Sequence, residues 1–176
     1  LTAGKQTRKC SKCPIGRYQQ NTDQTTCQLC PIGKKQGPPS AETVGSTFCL
    51  PCTPGEFGEI NEGIHICSKC GVGTYTDESM KTQCSVCDAG KYQPFTERTA
   101  CIPCLPGKHG RAEGATRDAC ESCAIGTASA EPGRKTPCPS CALGSETTST
   151  GSTSCLACLA GLFVTDNNGC SDCSQG

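Results

Sequence analysis

The sequence predicts a small disulfide-rich, irregular β protein: an elongated rod of tandem ~18-residue disulfide-clipped β-hairpins, with no central hydrophobic core and little or no helix. Three observations lead there. Twenty of the 176 residues are Cys. All of them fall into CxxC pairs that recur every 15 to 22 residues. A glycine stands three positions after the second cysteine of every pair.

The ten pairs are Cys10/Cys13, Cys27/Cys30, Cys49/Cys52, Cys67/Cys70, Cys84/Cys87, Cys101/Cys104, Cys120/Cys123, Cys138/Cys141, Cys155/Cys158 and Cys170/Cys173. The chain thus divides over 1–176 into units 10–27, 27–49, 49–67, 67–84, 84–101, 101–120, 120–138, 138–155 and 155–170, with partial units at both ends. Both ends read as cut from a longer array, and the absence of a signal pattern at Leu1 fits a mature or internal fragment. The recurring glycine, from Gly16 and Gly33 to Gly161 and Gly176, implies a turn residue with positive φ or a close approach of two backbones. Two positions later come Tyr18, Phe57, Tyr75, Tyr92 and Phe163, with His109 at the same place and Ala128 and Glu146 in two divergent units. Polar turn formers follow, and in six units a threonine precedes the next pair by two residues. That order reads as a short, irregular hairpin with clipped ends.

Composition excludes most alternatives. Hydrophobic residues make up 34% of the chain only because the cysteines are counted among them, so an oily interior is out of reach. Low aliphatic content alone would indicate disorder; the cysteines point instead to a disulfide scaffold in an oxidising setting, extracellular or at the cell surface. Sixteen basic and sixteen acidic residues cancel, leaving no electrostatic footprint for nucleic acid or anionic lipid. No apolar run approaches the ~20 residues needed to insert in a membrane.

Two pairing schemes fit the cysteines, and spacing does not choose between them. In a ladder, the second cysteine of one pair bonds the first of the next: Cys13/Cys27, Cys30/Cys49, Cys52/Cys67, Cys70/Cys84, Cys87/Cys101, Cys104/Cys120, Cys123/Cys138, Cys141/Cys155 and Cys158/Cys170. Cys10 and Cys173 then look outside the fragment. In a crossed scheme, adjacent pairs join by two bonds and all twenty close internally. The ladder is preferred, because each of its loops is one repeat.

The run Cys10-x-x-Cys13-Pro14-Ile15-Gly16-Arg17-Tyr18, continued by Thr25-Thr26-Cys27-Gln28-Leu29-Cys30-Pro31-Ile32-Gly33, resembles the ephrin-receptor-like cysteine-rich repeat. Cys84-x-x-Cys87-x-x-Gly90-Lys91-Tyr92 and Cys101-x-x-Cys104-Leu105-Pro106-Gly107 match as well. That repeat is similar to the hairpin module of tumour necrosis factor receptor cysteine-rich domains. The resemblance implies an extracellular, rod-like segment whose hairpins are each closed by one disulfide, as in the ladder. Tumour necrosis factor receptors interleave a second module with crossed disulfides, and ephrin receptors set a short stretch beside a ligand-binding domain. Neither companion is visible here, so no ligand-contact residue carries over. Long monotonous arrays of this type resemble surface proteins of unicellular eukaryotes, which serve as stalks, coats or filament subunits.

Other chemistry reads as background. Two CxxC motifs together can hold zinc through four thiolates, but zinc ribbons carry glycine directly after the second cysteine, and only Gly71 stands so here. Ten CxxC copies without a βαβ context do not make a redox centre. His65 and His109 read as surface or hairpin-packing residues, and no catalytic constellation is visible. Asp166-Asn167-Asn168-Gly169 with Asp172 reads as a turn rather than a calcium loop. Lys5 to Lys9 and Lys34-Lys35 read as solvated charges. Asn-x-Ser/Thr sequons are absent, while Ser145 to Ser154 is rich in hydroxyls. O-glycosylation is expected on Thr147, Thr148, Ser149, Thr150, Ser152 and Thr153, and host hydroxylation would open Pro38 and Pro39 to modification.

The expected role is therefore that of an extracellular structural segment: a stiff rod, stalk or filament/coat component of a cell-surface appendage, without enzymatic activity, catalytic residues, metal or cofactor. Its partners are other protein chains, through self-assembly or as filament and coat partners, with attached glycans, no nucleic acid and no membrane insertion in this segment. The alternative is the ligand-binding ectodomain of a cell-surface receptor.

Overall fold

The computed structural model describes residues 11–22, 24–38, 45–116, 119–164 and 170–172, with the backbone alone for Phe163, Val164 and Asp172. Every regular element among them is a strand, and the strands form eight two-stranded antiparallel sheets. The chain divides into two compact units. One comprises Leu1–Lys69 with Glu78–Cys84, the other Cys70–Asp77 with Ser85–Gly176.

In the first unit, β1 (Arg17–Tyr18) pairs with β2 (Gln28–Leu29), β3 (Lys34–Gln36) with β4 (Cys49–Pro51) and β5 (Glu56–Asn61) with β6 (Ile64–Lys69). In the second, β7 (Thr74–Tyr75) pairs with β8 (Ser85–Val86), β9 (Lys91–Tyr92) with β10 (Ile102–Pro103) and β11 (Lys108–His109) with β12 (Glu121–Ser122). The series ends with β13 (Ser145–Glu146) on β14 (Leu156–Ala157) and β15 (Leu162–Val164) on β16 (Cys170–Asp172).

The strands are short for a sequence reason. The first strand of each sheet starts directly after the recurring glycine, and the second lies largely within the next CxxC, which offers only two residues between its cysteines. Where Ala128 replaces the aromatic, the sheet shrinks to one bridge, Thr127 to Ser140. Where the spacer is richest in isoleucine, β5 and β6 extend to six residues each and close through Glu62-Gly63. Both turn residues have positive φ, 48° and 77°, which is the backbone of a type I′ hairpin turn.

The interior is sulfur rather than hydrocarbon. Cys30, Cys52, Cys70, Cys87 and Cys123, each the second member of its CxxC, have no exposed surface. Ile15, Leu105, Leu143 and Leu159 face outward, each more than two-thirds exposed. Apolar burial that would hold a larger domain together is largely missing, so crosslinks and main-chain bonds must take its place.

Candidate functional site

The candidate site is the junction between consecutive hairpins, and it is built from four parts. The first is a turn. The amide of the residue after each recurring glycine donates to the carbonyl three residues earlier, from Arg17 on Pro14 (3.1 Å) through Lys91 on Asp88 (3.0 Å) to Leu162 on Leu159 (3.2 Å). The glycine is the third residue of that turn, with φ between 76° and 93° from Gly16 to Gly161, as a type II turn requires. Its carbonyl then accepts the amide of the second cysteine of the next pair, as in Cys30 to Gly16, Cys104 to Gly90 and Cys158 to Gly144.

The second part is the disulfide. The structure joins Cys13–Cys27, Cys30–Cys49, Cys52–Cys67, Cys87–Cys101, Cys104–Cys120, Cys123–Cys138, Cys141–Cys155 and Cys158–Cys170. Cys70 and Cys84 are disulfide-bonded too. Each bridge closes a loop of one repeat, 12 to 19 residues apart in sequence, which is the ladder pattern. Bridged sulfurs are not thiolates, the form in which cysteine ligates zinc or attacks a disulfide. Cys10 and Cys173, Gly176, the segment Asp166 to Gly169 and Lys5 to Lys9 lie outside the described residues.

The third part is a pair of main-chain rungs to the next hairpin. The tip residue, ten positions after the second cysteine, donates its amide to the carbonyl of the cysteine that opens the preceding hairpin. Met80 donates so to Cys52, Glu97 to Cys70, Gly114 to Cys87, Gly133 to Cys104 and Gly151 to Cys123. The following residue accepts from the sixth position of the preceding hairpin, as Lys81 does from Gly58, Arg98 from Thr76, Ala115 from Gln93, Arg134 from Gly110 and Ser152 from Ser129. The tip residues have φ of 60° to 76°, whether glycine or, at Met80 and Glu97, not.

The fourth part skips one hairpin. A Cβ on Gly73, Gly90 or Gly107 would stand 2.3, 2.2 or 2.1 Å from the carbonyl oxygens of Gly114, Gly133 and Gly151. A Cβ on Gly33 would meet the Met80 oxygen at 2.7 Å. The tips at Met80, Gly114, Gly133 and Gly151 therefore rest on the glycine two hairpins back while bonding to the hairpin one back.

Sequence reading missed the sixth position. Gly58, Thr76, Gln93, Gly110, Ser129 and Thr147 are all buried there. Gln19 and Gln93 do the same work: each side-chain amide donates across the hairpin, to Thr26 and Ala100 (both 2.7 Å), and accepts the amide two residues on. The signal available was a column of small or hydrogen-bonding residues directly after the aromatic.

Several expected residues take other roles. Lys35, read as a solvated charge, occupies the aromatic position and reaches both oxygens of Glu56 at 3.0 Å. Partial burial raises the Glu56 pKa, but Lys35 and the Thr53 amide and hydroxyl lower it further, leaving it below the ordinary 4.5. His65 donates from Nδ1 to the Cys30 carbonyl at 2.5 Å, the place a tip amide takes elsewhere, because the long β5–β6 hairpin carries its own tip past that point. His109, 6% exposed, puts Nδ1 3.9 Å from Cys138 Sγ. Its Nε2 makes no hydrogen bond and lies 3.5 Å from Glu121 Oε2.

The proposed glycan tract needs one correction. Thr147 is 4% exposed and its hydroxyl accepts the Gly126 amide at 2.8 Å, so it is closed to a transferase. Thr148, Ser149, Thr150 and Thr153 are exposed, as is Pro38, whereas Ser152 is half-buried and bonds back to Ser149; Pro39 lies outside the described residues.

Turn, bridge, rungs and overlap recur with one cysteine register, and that register is a family property. The sequence model described as "Tyrosine-protein kinase ephrin type A/B receptor-like" matches residues 2–46 and 73–119, just over half of the chain. The chain belongs to the ephrin-receptor-like cysteine-rich family. No curated protein matches it significantly. In this ephrin-receptor-like chain the disulfides are those of an extracellular type of module. No helix among the described residues is long and apolar enough to cross a membrane.

Proposed function

We propose that the chain is a non-enzymatic structural segment of an extracellular array, supplying length, stiffness and protease resistance as the rod, stalk or filament/coat component of a cell-surface appendage. The observation that carries this reading is the overlap at the hairpin junctions. The tips at Met80, Gly114, Gly133 and Gly151 each engage the repeat before and the glycine of the repeat before that, so bending at those junctions strains two neighbours. Exposed hydroxyls at Thr148, Ser149, Thr150 and Thr153 are offered for glycans that would add further protection.

Small-angle scattering of the oxidised chain tests it. A compact globule of this length has a radius of gyration of about 16 Å. A rod gives at least about twice that and a linear cross-section plot. A value near that of the globule overturns the reading.

The family description favours a second reading, the ligand-binding ectodomain of a cell-surface receptor. It requires a protein ligand captured by the monomeric chain, and a scan of Leu143, Leu156 and Leu159 to Asp on the exposed face would then abolish capture.

A further inference from the structure

We propose that the groove between the β7–β8 and β9–β10 hairpins binds a single uncharged sugar ring. The groove measures about 240 Å³ and is lined by Tyr75, Asp77, Asp88, Lys91 and the run Thr99 to Cys101, all within the second compact unit. Main-chain bonds build it. Thr76 donates to Arg98 at 3.1 Å and Glu97 to Cys70 at 2.9 Å, which lays the returning strand of the β9–β10 hairpin beside Tyr75 and Asp77. The Gln93 side chain donates to the Ala100 carbonyl at 2.7 Å and fixes that run. The turn closed by the Lys91 amide on the Asp88 carbonyl, at 3.0 Å, brings those two residues to the same groove.

The array itself has no use for these side chains. A turn closed main chain to main chain accepts any residue at its first position, and the other eight turns of this kind carry Pro, Thr, Gly, Leu or Ala there. Asp88 is the charged exception. Asp77 follows the buried sixth position, is exposed, and makes no side-chain hydrogen bond or ion pair among the described residues. Thr99 belongs to the threonine column that precedes the CxxC pairs, and its hydroxyl is likewise free among the described residues.

The lining selects the class of ligand. Asp88 Oδ2 stands 3.9 Å from Lys91 Nζ and 4.0 Å from Lys135 Nζ, too far for hydrogen bonds, so it keeps its acceptor capacity while two ammonium groups balance two carboxylates. A cationic guest meets the lysines and an anionic guest meets the aspartates, so neither gains a net charge attraction. An uncharged polyol fits. The carboxylates accept its hydroxyls in charge-assisted bonds, Lys91 donates, and Thr99 does either. Tyr75 contributes an aromatic ring, whose negative face attracts the C–H side of a sugar. The groove is smaller than the ~300 Å³ at which drug-sized pockets begin, so it takes one ring rather than a chain.

The test is a nuclear magnetic resonance titration of the full, oxidised, ¹⁵N-labelled chain with glucose, galactose, mannose and N-acetylglucosamine, each as free sugar and as methyl glycoside. At least one is expected to shift the amides of Asp77, Lys91 and Thr99, with a Kd on the order of 1–10 mM for so small a ligand. Asp77→Asn and Asp88→Asn are each expected to weaken that binding about tenfold, with unchanged melting temperature. A methyl glycoside that binds as well as its free sugar identifies the source as a residue linked within a glycan, and binding of the free sugar alone identifies a soluble one; both keep the proposal. No shift with any of the sugars at ~50 mM, shifts indifferent to both substitutions, or tighter binding of glucuronate, glucosamine or Ca²⁺ overturns it. A chain that is extended by scattering and binds no sugar loses this site and keeps the structural role.

Discussion

The carbonyl oxygen of Gly151 sits so close above Gly107 that a Cβ on Gly107 would lie 2.1 Å from it. Gly144 occupies the same turn position with φ of 82° and, among the described residues, open space above it. The pair separates two costs that one glycine column conceals. Gly144→Ala bears only the left-handed backbone penalty of about 1–2 kcal/mol. Gly107→Ala bears that and a clash with main chain, about 1–3 kcal/mol more. Denaturant unfolding with the bridges intact measures both, and amide exchange at Gly151 is expected to accelerate in Gly107→Ala alone.

Met80 holds a tip position that is glycine in three later hairpins, at φ of 64°. Met80→Gly removes a left-handed strain of about 1–2 kcal/mol and adds unfolded-chain freedom of about 0.4–1 kcal/mol. A net gain of about 0.5–1 kcal/mol is expected from these terms, read as a higher urea midpoint. A lower midpoint would mean that the methionine side chain contributes packing that its half-exposed position does not reveal.

Acid acts through Glu56. Its folded pKa is depressed, so its contribution is full above the ordinary 4.5 and is lost as pH falls through the folded value. The Lys35–Glu56 contact, which replaces an aromatic, is therefore expected to loosen below that pH. Thermal melts from pH 6 to pH 2 should show a drop in the parent chain that is smaller in Glu56→Gln. Identical pH profiles would remove the ion pair from the account.

Reduction should follow burial. Cys138 is 8% exposed, whereas Cys27, Cys49, Cys67, Cys101, Cys120 and Cys155, at the same place in other bridges, are half-buried. An attacking nucleophile, thiolate or phosphine, needs access to sulfur. Under limiting phosphine reductant, Cys123–Cys138 is expected to be the last described bridge to open, and His109→Ala, which uncovers Cys138, to advance it. Alkylation and peptide mapping over time give the order.

How much of this could be read from residues alone depends on which residues repeat. The CxxC spacing announced the unit, and glycine three positions on announced a left-handed turn, because no other side chain fits such a φ without strain. The second left-handed column, at the tips, was hidden because Glu62, Met80 and Glu97 occupy it in three hairpins. The buried sixth position was hidden for the opposite reason: Gly58, Thr76, Gln93 and Ser129 share no chemistry, only a backbone amide that must reach the next hairpin. Thr147 failed as a glycan site because composition reports hydroxyls and not which of them face inward. The Lys35–Glu56 pair joins residues 21 apart, a distance at which local pattern is silent.

The two-step overlap also bears on how such a chain grows. A tip that seats on a glycine two hairpins away, and bonds main chain of the hairpin between, asks of that hairpin a fixed register of its cysteine and sixth position rather than particular exposed side chains. Copying one whole block of codons therefore delivers a hairpin that fits at once, whereas copying part of a block throws every later seat out of phase. Tandem duplication, followed by drift in the outward-facing aliphatics, is the evolutionary path this geometry leaves open.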